Sequence, residues 1–518
     1  MENPQESKPE FGKIRSFFWP IYSDELKKFL PMGMLMFFIL MNYSLLRITK
    51  DSLVVPEVGP EAIPWLKGTL VIASSIIFVL IYTKLVNILS RETNFYLIIF
   101  FFISFFAAFG YVLYPSLTAI HPDPASISAL QESYPRLSPV FAIYGVWLYA
   151  VVYVLAELWG SVMIALLFWQ FANEITRTRE AKRFYAMFGL LANFALLATW
   201  VFTLYVDKFV RPTVPANVDE WGVVLIYYMS LVALSGFIIM GIYRWMNTNV
   251  LTDSKYYDAA ETSDKKKSKK PKLSVWESLV YICSSKYLGF IALLIIGYGI
   301  SINLVELVWK SQLQEQFPLK ADYSAMMGWI QGLTGISTII LILLLKGIVQ
   351  RVGWFTAAII TPIMILVTGM LLFGFVSYRD EMAPLALFFG TTPLWMAVLL
   401  GSAQQILSKG TKYSLFDPTK EMTYIPLDQE SKIKGKAAVD VIGGRLGKAS
   451  GGYISIGVLF VTGWAVSEVA LILAAIVILV IGLWLLAAKG LNSMYTALRK
   501  AKKEMDTAKQ QQAALEKK

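Results

Sequence analysis

Apolar stretches of about twenty residues recur from one end of this chain to the other. They lie near 29–48, 64–88, 95–114, 139–171, 184–205 and 222–245, and after a polar break near 286–308, 323–347, 354–377, 383–407, 438–462 and 466–488. A bilayer core about 30 Å thick requires a helix of about that length, because every backbone polar group must be satisfied within the segment. The pattern predicts an all-α membrane protein of twelve transmembrane helices in two six-helix bundles. Two sixes joined by a polar linker form the layout of a major-facilitator-like transporter, whose halves rock around a site near the bilayer midplane. The expected division is an N-terminal arm over 1–28, a first bundle over 29–246, a linker over 247–283, a second bundle over 284–490 and a tail over 491–518.

The charges test the span count. Basic residues gather after every second span, at Lys84 and Arg91, at Arg177, Arg179, Lys182 and Arg183, in the run DKKKSKKPK, at Lys346 and Arg351, and among the lysines between Lys409 and Lys436. The alternate loops are poorer in cations or balanced by acids. Positive loops stay on the cytoplasmic side, so both termini are expected there. The opening MENPQESKPEFGKIRSFFWP has no signal-peptide pattern. Beside membrane spans, the basic linker is read as a topology signal that touches the lipid bilayer, and not as a nucleic-acid site.

Composition narrows the chemistry. With 56% hydrophobic and 16% charged residues, a soluble globular class is excluded. A single cysteine, Cys283, and a single histidine, His121, exclude an internal disulfide and a multi-histidine metal site. Neither a metal nor a cofactor is expected. The stretch GGRLGKASGG, Gly443 to Gly452, resembles a phosphate-binding loop only at first sight. Ile442 stands where that motif needs its first glycine, and Ala449 stands where it needs Ser or Thr. Gly443, Gly447 and Gly451 recur every four residues instead, as a stripe for close helix packing, with Arg445 and Lys448 on another face.

Charges inside apolar spans are expensive and mark candidate function. The first span ends in NYSLLRITKDS, with Arg47 and Lys50 on one helical face and Asp51 available as a neutralising neighbour. Glu157 lies deep in the fourth span, accompanied by Tyr149, Trp159 and Ser161. The seventh brings Asn303, Glu306 and Lys310 to one side. Against a functional reading stand snorkelling for Arg47, Lys50, Arg445 and Lys448, a structural ion pair for Glu157, and an interfacial acid for Glu306. If these groups share a cavity, Lys50, Arg445 and Lys448 are its cations and Glu157 and Glu306 the acids that pair with them. Such a cavity suits an anionic, phosphorylated solute whose phosphates displace the carboxylates.

Several stretches together resemble the ATP/ADP translocases of obligate intracellular bacteria and plastids: LRITKDSLVV, AELWGSVMIALLFWQFANEITRTREAKRFYAMFGLLAN, YRWMNTNVLTD, NLVELVWK, KYSLFDPTKEMTYIPLD and KGKAAVDVIGGRLGKASGG. The resemblance runs over nearly the whole chain. It implies that Lys50, Glu157, Glu306 and Lys448 are the charged residues tied to transport. One departure is Ile48, where relatives often place Asp. The implied activity is antiport, with host ATP entering across a bacterial inner membrane and ADP leaving, and with phosphate as a companion of ADP. No hydrolysis is implied, and the carrier is expected to act as a monomer. The rival within the same fold is a paralogue that moves other nucleotides or NAD, by exchange or proton symport. Tyr149, Trp159 and Asn303 are its unranked base-recognition candidates.

Overall fold

The first span does not stop at its charges. Helix α1, Leu26–Val58, carries Arg47, Lys50 and Asp51 in its interior, and it ends where Gly59 turns to φ 87° ahead of Pro60. A positive φ is accessible to glycine at little cost, which makes it a helix stop. The hydropathy boundary near 48 is therefore corrected outward by about ten residues. The helix tolerates the charges because Lys50 and Asp51 are held in ion pairs and Arg47 lies against the Tyr43 ring.

The computed structural model describes residues 12, 15, 19–253, 256, 280, 284–345, 348–428, 435, 436, 439 and 443–515. Most of the expected arm before residue 19 and most of the basic linker, DKKKSKKPK included, lie outside the described residues. After α1 come α2 (Ala62–Ile88), α3 (Arg91–Leu113) and α4 (Trp147–Ile175). They are followed by α5 (Thr178–Tyr205) and α6 (Glu220–Asn249). The second half contributes α7 (Lys286–Gln316), α8 (Lys320–Leu344), α9 (Trp354–Ser377), α10 (Pro393–Thr411), α11 (Gly444–Thr462) and α12 (Ala470–Leu515). Starts are chemically specified: the side chains of Ser90, Asp219, Ser285 and Thr392 accept hydrogen bonds from the first free backbone N–H groups of α3, α6, α7 and α10.

Among the described residues, ten helices are long and apolar enough to cross a membrane. Helices α10 and α11 are not among them. The first carries Ser402, Gln404, Gln405 and Lys409 along its length, and the second is apolar only over Ala449–Thr462. Three further boundaries differ from the hydropathy reading. Val146 leaves helical geometry and splits the fourth span into Ser138–Gly145 and α4. Gly390 at φ 69° separates Ala383–Phe388 from α10, so the tenth span starts later than 383. Beyond 490 the chain continues α12 as helix to Leu515.

Each half is built around its first helix. In the first, α1 packs on α4, α5 and α6; in the second, α7 packs on α10, α11 and α12. The glycine stripe of α11 serves this packing, since a Cβ on Gly447 would lie 3.0 Å from the Ile296 backbone and one on Gly451 2.8 Å from Asn303. The halves meet along α5 and α8, and where the start of α2 meets α11. There the Tyr453 hydroxyl donates to the Gly68 carbonyl at 2.7 Å. Beyond that contact α2 is lightly packed: from Val71 to Ile88 it buries no residue, and Tyr82 donates to Gln170 of α4 at 2.9 Å.

Candidate functional site

Helix α1 presents Arg47, Lys50 and Asp51 three and four residues apart, hence toward one side. Lys50 Nζ lies 2.8 Å from Asp51 Oδ1 and 3.1 Å from Glu157 Oε1 of α4. The other oxygen of Asp51 is 3.0 Å from Lys310 Nζ of α7, which also reaches Glu306 Oε1 at 2.9 Å. Glu306 Oε2 then receives Lys67 Nζ of α2 at 3.3 Å. The result is one unbroken chain of alternating sign, Glu157–Lys50–Asp51–Lys310–Glu306–Lys67, whose formal charges cancel. It crosses from the first half to the second through Asp51 and returns through Glu306.

Burial sets what these pairs do. Lys50, Asp51 and Lys310 are each 1% exposed, and the Lys50 ammonium sits 3.8 Å from the centre of the Tyr153 ring. Three ions withdrawn this far from water persist only because each has more than one partner. Beside Lys67, Asn303, Glu306 and Lys310 lies a cleft of about 20 Å³, room for about one water. A larger groove of about 580 Å³ between α9 and α12 is lined by apolar residues such as Phe355, Ile359 and Leu483, and it holds none of this chemistry.

The structure brings together Lys50, Glu157, Glu306 and Lys310. Asn303 is next to them, its amide donating to the Gly299 carbonyl at 2.7 Å while its side chain lines the cleft. Arg47 lies one turn before Lys50 and faces the Tyr43 ring at 5.8 Å. Trp159 is elsewhere: fully buried, it donates its indole N–H to the Ile39 carbonyl at 3.0 Å, a packing role. Ser161 is exposed at the start of a π-helical stretch and takes no part in the ion chain. Arg445 and Lys448 lie on α11, and their side chains fall outside the described residues.

Two members of the chain escaped sequence reading. Asp51 looked like a local counter-ion to Lys50, and nothing in its neighbourhood announced a second lysine from α7. Lys67 stands at the start of a span, where snorkelling is the ordinary explanation. A π-helical turn at Leu66–Leu70 changes the register there, so helical spacing alone did not place it.

A second group of charges closes the end of the bundle at which α1 terminates. Lys320 of α8 lies 2.5 Å from Glu57 of α1 and donates to the Tyr149 hydroxyl at 3.3 Å, so Tyr149 belongs here and not to the ion chain. Arg211 holds Asp207 and Glu220, each at 2.6 Å, and reaches Asp322 of the second half at 2.7 Å. The Val466 N–H points at Glu61 Oε1 at 3.5 Å. Burial pushes the Glu61 carboxyl above its ordinary range, opposed by backbone hydrogen bonds.

Comparisons with known proteins agree on one group. The profile described as TLC ATP/ADP transporter matches residues 4–495. A relative from Chlamydia pneumoniae named ADP,ATP carrier protein 1 is 46% identical over 511 residues, 98% of each chain. Another of that name, from Rickettsia bellii, is 46% identical over 490 residues, covering 94% of this chain and 97% of its own. Among solved structures, a mutant of the nucleoside transporter NupG aligns with a TM-score of 0.51 at 13% identity, over 90% of this chain and 99% of its own. That likeness concerns the fold alone.

Proposed function

The chain belongs to the TLC ATP/ADP transporter family, and from that premise we propose that it exchanges ATP for ADP across a membrane by alternating access, using the buried ion chain as its switch. It is a secondary transporter and not an enzyme. The observation that carries the mechanism is Asp51 held by Lys50 from its own half and by Lys310 from the other. Carboxylates occupy the positions at which ammonium groups would receive phosphate oxygens. A nucleotide that reaches them offers charge-assisted hydrogen bonds in exchange. Replacing inter-half carboxylate contacts by phosphate contacts frees the halves to rock, so passage requires a bound substrate in each direction.

Lys50, Glu157, Glu306 and Lys448 are the proposed transport residues, with Asp51, Lys67 and Lys310 completing the network. The proposed setting is a bacterial inner membrane crossed twelve times, with bundles 29–246 and 284–490 and both termini cytoplasmic. The alternation of basic loops supports that orientation. The ion pairs at the far end of α1 and the lack of buried residues in α2 from Val71 onward support a carrier closed outside and looser inside. ATP enters and ADP leaves, with phosphate as its companion, and the working unit is the monomer.

The decisive experiment loads proteoliposomes with ADP, ATP, phosphate or buffer alone and follows labelled ATP. Uptake is expected only into nucleotide-loaded vesicles. Accumulation in buffer-loaded vesicles driven by external acid would replace exchange by symport, and equal uptake of labelled NAD or GTP would replace adenylate by another substrate.

A further inference from the structure

Lys67 joins the ion chain from an irregular stretch of α2. The helix widens into a π-helical turn over Leu66–Leu70, at the place where it touches the second half. Such a turn disturbs the regular run of backbone hydrogen bonds, and in a bilayer other groups must satisfy the backbone. Two hydroxyls donate to carbonyls of this stretch. Thr69 donates to Trp65, one turn back in the same helix, at 2.6 Å. Tyr453 comes from α11 in the other half and donates to Gly68 at 2.7 Å.

Adjacent residues of α2 thus engage two different helices of the second half. Lys67 lines the cleft and reaches Glu306 Oε2 of α7 at 3.3 Å. Gly68 faces α11: a Cβ there would lie 3.5 Å from both the Tyr453 ring and Ile456. The Lys67–Glu306 contact is the longest link of the ion chain. Lys67 is also the most open of its three lysines, its side chain 25% exposed against 2% for Lys50 and 1% for Lys310. An ion pair with that access to water does little by itself to hold a flexible four-carbon side chain in one geometry. The hydrogen bond one residue away fixes the backbone from which the lysine extends.

We propose that Tyr453 is a positioning residue for transport: its hydroxyl, donated across the interface of the halves to the π-turn of α2, holds Lys67 on Glu306 and so completes the ion chain. Tyr453 is half exposed and lines no part of the cleft, so it acts through Lys67 and not on the cargo. A hydrogen bond between helices in a bilayer shifts an equilibrium by about threefold to tenfold, enough to decide where a loosely paired lysine resides. Parting α2 from α11 breaks this bond and the Lys67–Glu306 pair together, and Lys67 is released toward an incoming phosphate only as the halves separate. The inference rests on the exchange reading for what the ion chain does; the hold of Tyr453 on Lys67 is separate from it.

The test compares full-length wild type with Tyr453→Phe, which removes one oxygen and keeps the ring, in nanodiscs. Reductive methylation with formaldehyde and cyanoborohydride, followed by peptide mass spectrometry, reads the reactivity of each lysine amine, with exposed Lys84 on the same helix as internal standard. Tyr453→Phe should raise the rate at Lys67 by about threefold or more and leave the rate at Lys310 unchanged. An unchanged rate at Lys67 overturns the proposal. So does an equal rise at Lys67 and Lys310, which is the mark of general loosening. A second measurement follows ATP/ADP exchange in vesicles: Tyr453→Phe should lower it by about threefold in wild type and add no further loss to Lys67→Met. A loss of the same size in both backgrounds means that Tyr453 acts by another route, and the proposal fails. Labelling that responds as expected in a protein that exchanges no nucleotide defeats the exchange reading and leaves the positioning of Lys67 standing.

Discussion

Two sets of ion pairs join the halves of this protein, and they differ in their access to water. In the central chain Lys50, Asp51 and Lys310 are 1% exposed, whereas at the far end the side chains of Glu57, Glu220 and Asp322 are 41%, 40% and 38% exposed. An exposed pair is worth about 0–1 kcal/mol because water and salt compete for both partners. Breaking a buried pair by removing one partner costs about 3–5 kcal/mol, since an uncompensated charge is left behind. The same residue types thus make a latch that thermal motion can open at one end and, at the centre, a lock that yields only to another anion.

The most severe way to break this contrast is Asp51→Ala. It leaves Lys50 only Glu157 and Lys310 only Glu306, with one buried positive charge in excess, and should destabilise the folded protein by about 3–5 kcal/mol and abolish exchange, read by thermal unfolding in detergent and by vesicle uptake. A stable, active Asp51→Ala protein would mean the chain is not what couples the halves. Glu157→Gln keeps the shape and removes one charge from the end of the chain. Exchange should fall by at least about tenfold with the fold retained, the loss of roughly 1.4 kcal/mol. Lys320→Ala removes the Glu57 pair and the Tyr149 hydrogen bond at the exposed latch. Its stability should change by less than about 1 kcal/mol, while uptake becomes less sensitive to ionic strength than in wild type, because the screened contact is already gone.

The smallest effect concerns Glu61. Its folded-state pKa is raised by burial, so the folded protein holds this proton more tightly than the unfolded chain. Sign and window follow: the contribution favours folding at low pH and is lost as pH rises from the ordinary value of 4.5 through the raised one. Glu61→Gln should flatten that part of the stability profile, measured by unfolding at stepped pH, and an unchanged slope would exclude Glu61 as its source.

Much of the architecture was legible in the hydrophobic pattern, because a bilayer demands long apolar runs and the basic loops mark their alternation. Glu157 stood out as a charge too far along its span to snorkel, and Glu306 through its helical spacing with Asn303 and Lys310. What was not legible has a common cause in pairing across the fold. The boundary near 48 failed because hydropathy counts Arg47, Lys50 and Asp51 as polar, whereas tertiary contacts supply partners to Lys50 and Asp51 and the helix runs on to Val58. Lys67 and Tyr149 were hidden or misassigned because their partners come from the other half, at a sequence separation that no local spacing reveals. Trp159 was misleading through its proximity to Glu157, since its indole faces the backbone of α1.

The balanced arithmetic of the central chain has an electrical consequence. Three lysines against three carboxylates contribute no net charge to the moving region, so rearranging them together does little work against a membrane voltage. The voltage sensitivity of exchange then reflects mainly the cargo. A nucleotide pair that differs by one charge should carry about 2.3 kcal/mol per 100 mV of bias, and neutralising a single member of the chain would make the protein itself part of the current.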